Sequence, residues 1–384
     1  MSCSILFRAA PINLVTMKNI LSTLLFSLAL FCACNSYNVR VDGMVHSGIA
    51  NGDSIFLIAN TPSGNREIVD RAVVAGGGFT LQASVELPAI CSVVTFTPAL
   101  TTKTKHDFIA EGSPVTLQIS SERAVVSGSP LNSELQSFND SLFMAKKIYF
   151  RYFEKRNDSI GLSNMGKKEA DDIMAVTAQF SKNVLYNVLQ ENKDNMLAVY
   201  LIKNYYFLID PADGLRFINE LPQSAQKDNV IRYIAKIFRG RDNAAVGKPF
   251  VNFLQNNVKG EPVQLSSVAG KGVPVALCFW SSGNAASVAA HERLSAIARS
   301  GGEALQLVGV SIDDNYRRWN ASLAKNGFAG IQLADIRGWN NDALSLYGID
   351  TCPFFVLIGK DGTITHRTGS VAEFENAINS VLGK

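Results

Sequence analysis

The stretch Pro274–Leu294, PVALCFWSSGNAASVAAHERL, decides how the C-terminal third of the chain folds. An apolar run ends in Phe279-Trp280 and reads as a central strand. Small and polar residues then make a turn, and a helix pattern runs from Asn284 to Ser300. Asn284 suits the N-cap, because its side-chain acceptor satisfies an orphan N–H of the first helical turn. The unit is strand, loop, helix.

Working outward, Gly247–Val251 and Val263–Leu265 read as introductory strand segments. ALQLVGVSID is the next strand, and a helix around Asn315–Asn326 carries Trp319 in its middle. IQLADIRGWNNDALSLYGID leads to Thr351-Cys352-Pro353. FFVLI, the Lys360-Asp361-Gly362 turn, TITHRTG and a final helix close the chain. Alternating strands and helices followed by a hairpin predict an α/β unit with a mixed sheet.

The order of these landmarks (FW before the turn, VGVSID, a Trp in the next helix, YGI ahead of a Pro, LI.KDG) resembles membrane-anchored thioredoxin-like proteins of the TlpA type. The local stretch is similar to their FWAxWCxxC. Laid on that pattern, Gly283 replaces the Trp, Asn284 the nucleophilic Cys and Ser287 the resolving Cys. Dithiol–disulfide exchange needs one thiolate to attack and a second thiol to release the mixed disulfide, and neither Asn nor Ser can do this. The resemblance also implies a cis bond before Pro353, in a loop that faces the turn and presents backbone to an extended substrate.

Cys352, the residue before that proline, is a second departure, since the family usually has no thiol there. Placed near the N-terminus of the Asn284 helix, its thiolate would be favoured by the dipole and the free N–H groups. Such a thiolate can form a mixed disulfide, reduce a peroxide or bind a metal. The alternative is a small hydrophobe in a tight loop flanked by Pro353 and Phe354. Cys278 reads as strand packing, and a Cys278–Cys352 disulfide would need Cα atoms within about 7 Å. Ser287 and His291 stand four apart on one helix face and can touch. No orienting acid or oxyanion hole accompanies them, as nucleophilic catalysis requires.

Upstream, residues 131–243 read as a helical region. Asn132-Ser133-Glu134 opens a run through Phe138, Leu142, Ile148 and Phe153, and three further stretches repeat apolar residues at three- and four-residue steps. Asp210-Pro211 and Leu221-Pro222 interrupt them. Tyr200, Tyr205, Tyr206 and Phe207 suit core packing or the lining of a groove. Residues 34–130 hold eight short alternating segments punctuated by Gly, Asn, Asp and Pro, the pattern of an all-β sandwich or open barrel. DRAVV..GGFTL, FIAEGSPVTL and VSGSPLNSEL resemble the β-rich domain of unknown function found ahead of thioredoxin domains in such lipoproteins. His46 and His106 are isolated there and read as surface residues. The whole is a multidomain chain: a β domain, a helical segment, and a thioredoxin-like domain over 244–384.

Met17-Lys18-Asn19 opens a basic start, and ILSTLLFSLALF is an apolar core too short for a comfortable membrane span. It ends at Cys32-Ala33-Cys34, which resembles a bacterial lipoprotein signal. Residues 1–33 then form the signal peptide, with Met17 as the expected start, and Cys34 carries the lipid. An ordinary cleaved signal peptide is the other reading. Removing residues 1–33 takes away Arg8 and Lys18 and no acid, so the net charge of +3 falls to +1. That excludes the concentrated basic face of a nucleic-acid binder. After Cys34 only Cys91, Cys278 and Cys352 remain, which is no disulfide framework. With no CxxC and no His/Cys cluster, no zinc or other metal site is expected, and no cofactor.

These readings predict a lipid-anchored protein of a Gram-negative cell envelope, facing the periplasm or the outside. Its redox-inactive thioredoxin-like domain would bind an extended peptide or an envelope protein. The competing reading is a thiol-disulfide oxidoreductase working through the single thiol of Cys352.

Overall fold

The computed structural model describes residues 38–60, 66–96, 102–157 and 164–383. The expected signal peptide, residues 1–33, and the expected lipidation residue Cys34 lie outside the described residues.

The first unit packs two four-stranded sheets. One has the order β4 (Gly78–Ala83), β1 (Val39–Val45), β7 (Val115–Ile119), β8 (Ala124–Ser127); the other β3 (Arg66–Val73), β2 (Ser54–Asn60), β5 (Ala89–Phe96), β6 (Thr102–Ala110). Alternate residues of β1 and β7 are buried, because successive side chains of a strand point to opposite faces. Val41, Leu81 and Leu117 from one sheet meet Leu57, Val93 and Phe108 from the other, with the Cys91 thiol among them. β6 is an edge strand. Asn132 covers part of it, accepting from the Ile109 N–H (2.8 Å) and donating to the Ile109 carbonyl (2.7 Å), and so satisfies backbone groups that would otherwise be left open at a sheet edge.

Asn132 belongs to α1 (Pro130–Asn157), which lies alongside α2 (Asn164–Glu191). α3 (Met196–Tyr205) follows, its first N–H groups accepted by the Asn195 side chain. α4 (Pro211–Glu220) begins with Pro at its first turn, where the missing N–H costs nothing. After the single turn α5 (Gln223–Gln226), α6 (Asn229–Asn243) is capped by Asp228. Ile231, Ile234 and Phe238 point α6 into a core shared with Leu185, Leu201 and Phe217.

The third unit is a seven-stranded mixed sheet ordered β10 (Pro262–Gln264), β9 (Leu254–Asn257), β13 (Ile331–Ala334), β12 (Gln306–Ser311), β11 (Val275–Trp280), β14 (Phe354–Ile358), β15 (Ile364–Thr368). All six residues of β11 are buried, which is why it reads as an unbroken apolar run. Its Ala276, Cys278 and Trp280 face α7 (Ala285–Gly301) and α10 (Val371–Leu382). Leu277 and Phe279 face the other layer, with Tyr347 of α9 (Asp342–Tyr347). α8 (Tyr316–Asn326) adds the buried Trp319. Gly247–Val251 does not form the regular strand its sequence suggests. Only a bridge from Pro249 to Thr363 is made and the sheet begins at Leu254, as fits a segment whose Pro249 has no N–H to give a ladder.

Candidate functional site at the Ser281–Asn284 turn

The turn between β11 and α7 is held from beneath by one carboxylate. Asp313, buried just after β12, accepts from the Ser282 N–H (3.1 Å), the Ser282 hydroxyl (2.8 Å), the Ser281 hydroxyl (3.3 Å) and the Ser311 hydroxyl (2.7 Å). Arg318 stands 3.6 Å from the same group. A buried carboxylate is tolerable only when its oxygens are satisfied in this way. The sequence held Asp313 in plain view, in VGVSID, but local pattern assigned it no role.

Above the turn, Asn284 and Ser287 both close on Cys352. Asn284 is the N-cap of α7: its Oδ1 accepts from the Ser287 N–H at 3.0 Å and its Nδ2 donates to the Cys352 carbonyl at 3.3 Å. The Ser287 Oγ lies 3.0 Å from the Cys352 Sγ, and the Sγ is 3.8 Å from the Phe279 carbonyl. The assignment that satisfies both contacts has the Ser287 hydroxyl donating to sulfur and the thiol donating to the carbonyl. The Cys352–Pro353 bond is cis, and Thr351, Cys352 and Pro353 are half-buried beside the turn.

Of the two readings of Cys352, this geometry fits the small residue packed in a tight loop better than the stabilised thiolate. Burial pushes the Cys352 thiol up to about 12; the Ser287 hydrogen bond opposes the shift and the Asp313 charge adds to it. Desolvation penalises the charged form and outweighs the helix end, because the sulfur points inward onto Phe279 and Ser287. Cys278 is fully buried and its thiol is also held well above its ordinary value, again by burial first. Both cysteines are free. Cys278 packs in the layer under α7, and Cys352 packs against the Phe279 layer while touching Ser287 of α7.

Ser287 and His291 are not brought together as a catalytic pair. His291 stacks on Trp280 (ring centroids 5.0 Å apart, planes 8° apart), and its Nε2 meets the Gln332 Oε1 at 3.2 Å. Burial drives its pKa down to about 4. Phe279 and Trp280, which flank the site in sequence, are wholly buried and form its floor, while Gly283 is exposed and leaves the turn uncovered.

Elsewhere, Tyr200 and Tyr206 are core residues and Tyr205 packs edge-on against Phe138 at 5.0 Å, so only Phe207 of that stretch is exposed. His46 is exposed, but His106 is half-buried in the sheet. Its Nε2 finds no partner and desolvation lowers its pKa. Among the described residues no cluster of His, Cys, Asp or Glu is arranged to hold a metal, and no helix is long and apolar enough to cross a membrane.

The site is backed by a seam that sequence reasoning missed. Arg241, near the end of α6, donates to Asp350 (2.8 Å) and to the Gly348 carbonyl (3.2 Å), two and four residues before Cys352. Half-buried Arg367 donates to the Arg241, Ala244 and Tyr347 carbonyls; desolvation lowers its pKa to about 10. These partners lie more than a hundred residues apart in sequence for Arg241, and no local signal announces them.

The thioredoxin-like family matches residues 272–364, and a domain family of unknown function (DUF4369) matches residues 39–135. The chain therefore carries a thioredoxin-like domain behind an N-terminal domain of that second family. No curated protein matches it. Solved structures similar to its C-terminal part include a thiol-disulfide oxidoreductase from Bacteroides fragilis, at 22% identity over 34% of this chain and 98% of that chain, with a TM-score of 0.31. Another is the thioredoxin domain of a thiol-disulfide oxidoreductase from Bacteroides vulgatus, at 19% identity over 36% and 98%, TM-score 0.33. A third is a secreted disulfide oxidoreductase from Mycobacterium tuberculosis, at 23% identity over 33% and 95%, TM-score 0.29.

Proposed function

We propose that this chain is a lipid-anchored protein of the bacterial cell envelope, held through Cys34, whose thioredoxin-like domain binds an extended polypeptide segment and does not exchange disulfides. The observation that carries this reading is the closed contact of Asn284 and Ser287 with Cys352: sulfur is absent from both exchange positions, and the one thiol present is turned inward with its pKa pushed up to about 12. A thiol of that kind is almost wholly protonated at neutral pH and is a poor nucleophile. The peptide-binding half of the reading is supported by the loop backbone. Among the described residues nothing accepts from the Cys352 N–H, the uncovered Gly283 lies across from it, and an extended segment can add its own backbone hydrogen bonds there.

The test is thiol labelling of the full chain in detergent across pH, with Cys352→Ser as control, followed by photo-crosslinking from position 283. Labelling of Cys352 only above about pH 9, or only on unfolding, is the expected result. Crosslinks to polypeptide that vanish when Asn284 and Thr351 are both replaced by bulky Trp would place a segment in the groove. Rapid labelling with a midpoint near neutrality would overturn this reading in favour of the single-thiol oxidoreductase.

A further inference from the structure

A second concave site opens at the seam, apart from Asn284, Ser287 and Cys352. It is a cleft of about 370 Å³ between α6 and the segment 337–345. Tyr233 and Lys236 form one wall; Arg337, Trp339, Asn340 and Asp342 form the other.

Three independent features mark it. The first is backbone strain. Ile336 sits at φ 58°, alone among the described non-glycine residues in the left-handed region. A β-branched residue there is a genuine outlier, and such strain clusters at binding and active sites. The loop is fixed in that shape by the Asp335 carboxylate, which accepts from the N–H groups of Arg337 (3.1 Å) and Asp342 (3.2 Å). The second is aromatic exposure. The chain has three tryptophans; Trp280 and Trp319 are 0% and 1% exposed, whereas Trp339 is 49% exposed and Tyr233 across the cleft is 37% exposed. The third is the polar rim. Arg337 and Asp342 are paired at 2.7 Å at the cleft mouth, and Lys236 has no ion-pair partner among the described residues.

Apolar ring faces beside hydrogen-bonding groups of both signs suit a ligand that is itself apolar on its faces and polar at its edge. A sugar ring has that form: C–H groups on its faces to lie against Trp and Tyr, and hydroxyls at its rim that donate to Asp342 and Asn340 and accept from Lys236 and Arg337. Asp342 already neutralises Arg337 and leaves Lys236 as the single unpaired charge among the described cleft residues, which is little for a phosphorylated or strongly acidic ligand, and an apolar peptide would leave the polar rim unused. We infer that the cleft between α6 and the Arg337–Asp342 segment is a binding site for a neutral oligosaccharide.

Because Trp339 is the one solvent-facing indole, acrylamide quenching of tryptophan fluorescence reads this site almost alone. The full chain in detergent is titrated with maltohexaose, cellohexaose, xylohexaose, mannohexaose and chitohexaose in turn. The expected result is saturable protection of Trp339 by at least one of them. The affinity should fall about tenfold in Tyr233→Ala and in Arg337→Gln, as for lost anchor contacts, and stay unchanged in Cys352→Ser. Calorimetry on Trp339→Ala, an exposed position whose loss leaves the fold intact, should show the same loss without relying on fluorescence. Failure of all five sugars to protect Trp339 up to about 10 mM, where even a millimolar Kd would register, overturns the inference. Protection instead by hexaglutamate, fading with added salt as screened charges do, also overturns it and assigns the cleft to an acidic peptide.

Discussion

The Ser281–Asn284 turn and the seam between α6 and α9 lie on either side of the same loop, yet they are built on opposite principles. The turn is assembled from side chains: Asp313 grips it from below, and Asn284 and Ser287 tie it to Cys352. Its ties are hydrogen bonds among carboxylate, amide, hydroxyl and thiol groups. At the seam, beside the side-chain contacts of Arg241 and Arg367, backbone packs directly on backbone. At Gly240 an added Cβ would lie 2.2 Å from the Ser345 carbonyl oxygen and 2.4 Å from the Gly348 nitrogen, so the helices approach as closely as the peptide groups allow. The turn can tolerate exchange of its polar groups at modest cost, whereas the seam has no room to give.

The sharpest way to break this comparison is Gly240→Val. A larger residue is a better helix former than glycine in α6 taken alone, so any loss of stability must come from the seam. Main-chain atoms cannot move aside as a side chain does, and the expected cost is about 4 kcal/mol or more, at the high end for one substitution. Urea unfolding of the full chain measures it. A cost under about 1 kcal/mol would mean that the α6–α9 contact is not maintained in solution.

A smaller effect separates the floor of the turn from its rim. His291 is buried and neutral, with its pKa lowered from 6.5 to about 4 by desolvation. A depressed folded-state pKa contributes stability that is present above the unfolded value and lost as pH falls toward the folded one. Stability should therefore drop by about 3 kcal/mol between about pH 6.5 and 4. In His291→Gln that part of the acid dependence should be absent. Unfolding midpoints across pH 4–7 for the two proteins decide it, and equal slopes would show that His291 is hydrated in the native state.

The smallest effect sharpens the reading of the turn itself. Asn284→Ala removes the N-cap of α7 and the donor to the Cys352 carbonyl, and should cost about 1 kcal/mol, the usual value of a lost cap. Its further consequence is faster amide exchange at Ser287 and in the Thr351-Cys352 loop. A stability loss with no change in loop exchange would show that the cap matters and the tie across the site does not.

Much of this was legible in local sequence. The eight β segments and the four long helical stretches were marked by their periods and punctuation, and the strand–turn–helix unit by its unbroken apolar run and the cap at Asn284. The roles of Asp313, Gln332, Arg241 and Arg367 were not legible. Each acts on a partner distant in sequence, and a polar residue near a strand end looks the same whether it grips a turn or faces water. His106 shows the same limit: its neighbours in sequence suggest a surface, and only the packing of β6 puts its ring nitrogen out of reach of a partner.

By itself, then, the order of residues determined which segments are strands and helices, the mixed sheet they form, and the Asn and Ser at positions 284 and 287 where the helix after β11 begins, because these depend on side-chain type and on spacing along one segment. Tertiary structure alone decided the state of Cys352. A thiol at a helix N-terminus is activated if it faces solvent and silenced if it is buried. The Cys352 sulfur lies against Phe279 of β11 and Ser287 of α7, where burial is the largest influence on the thiol and raises its pKa.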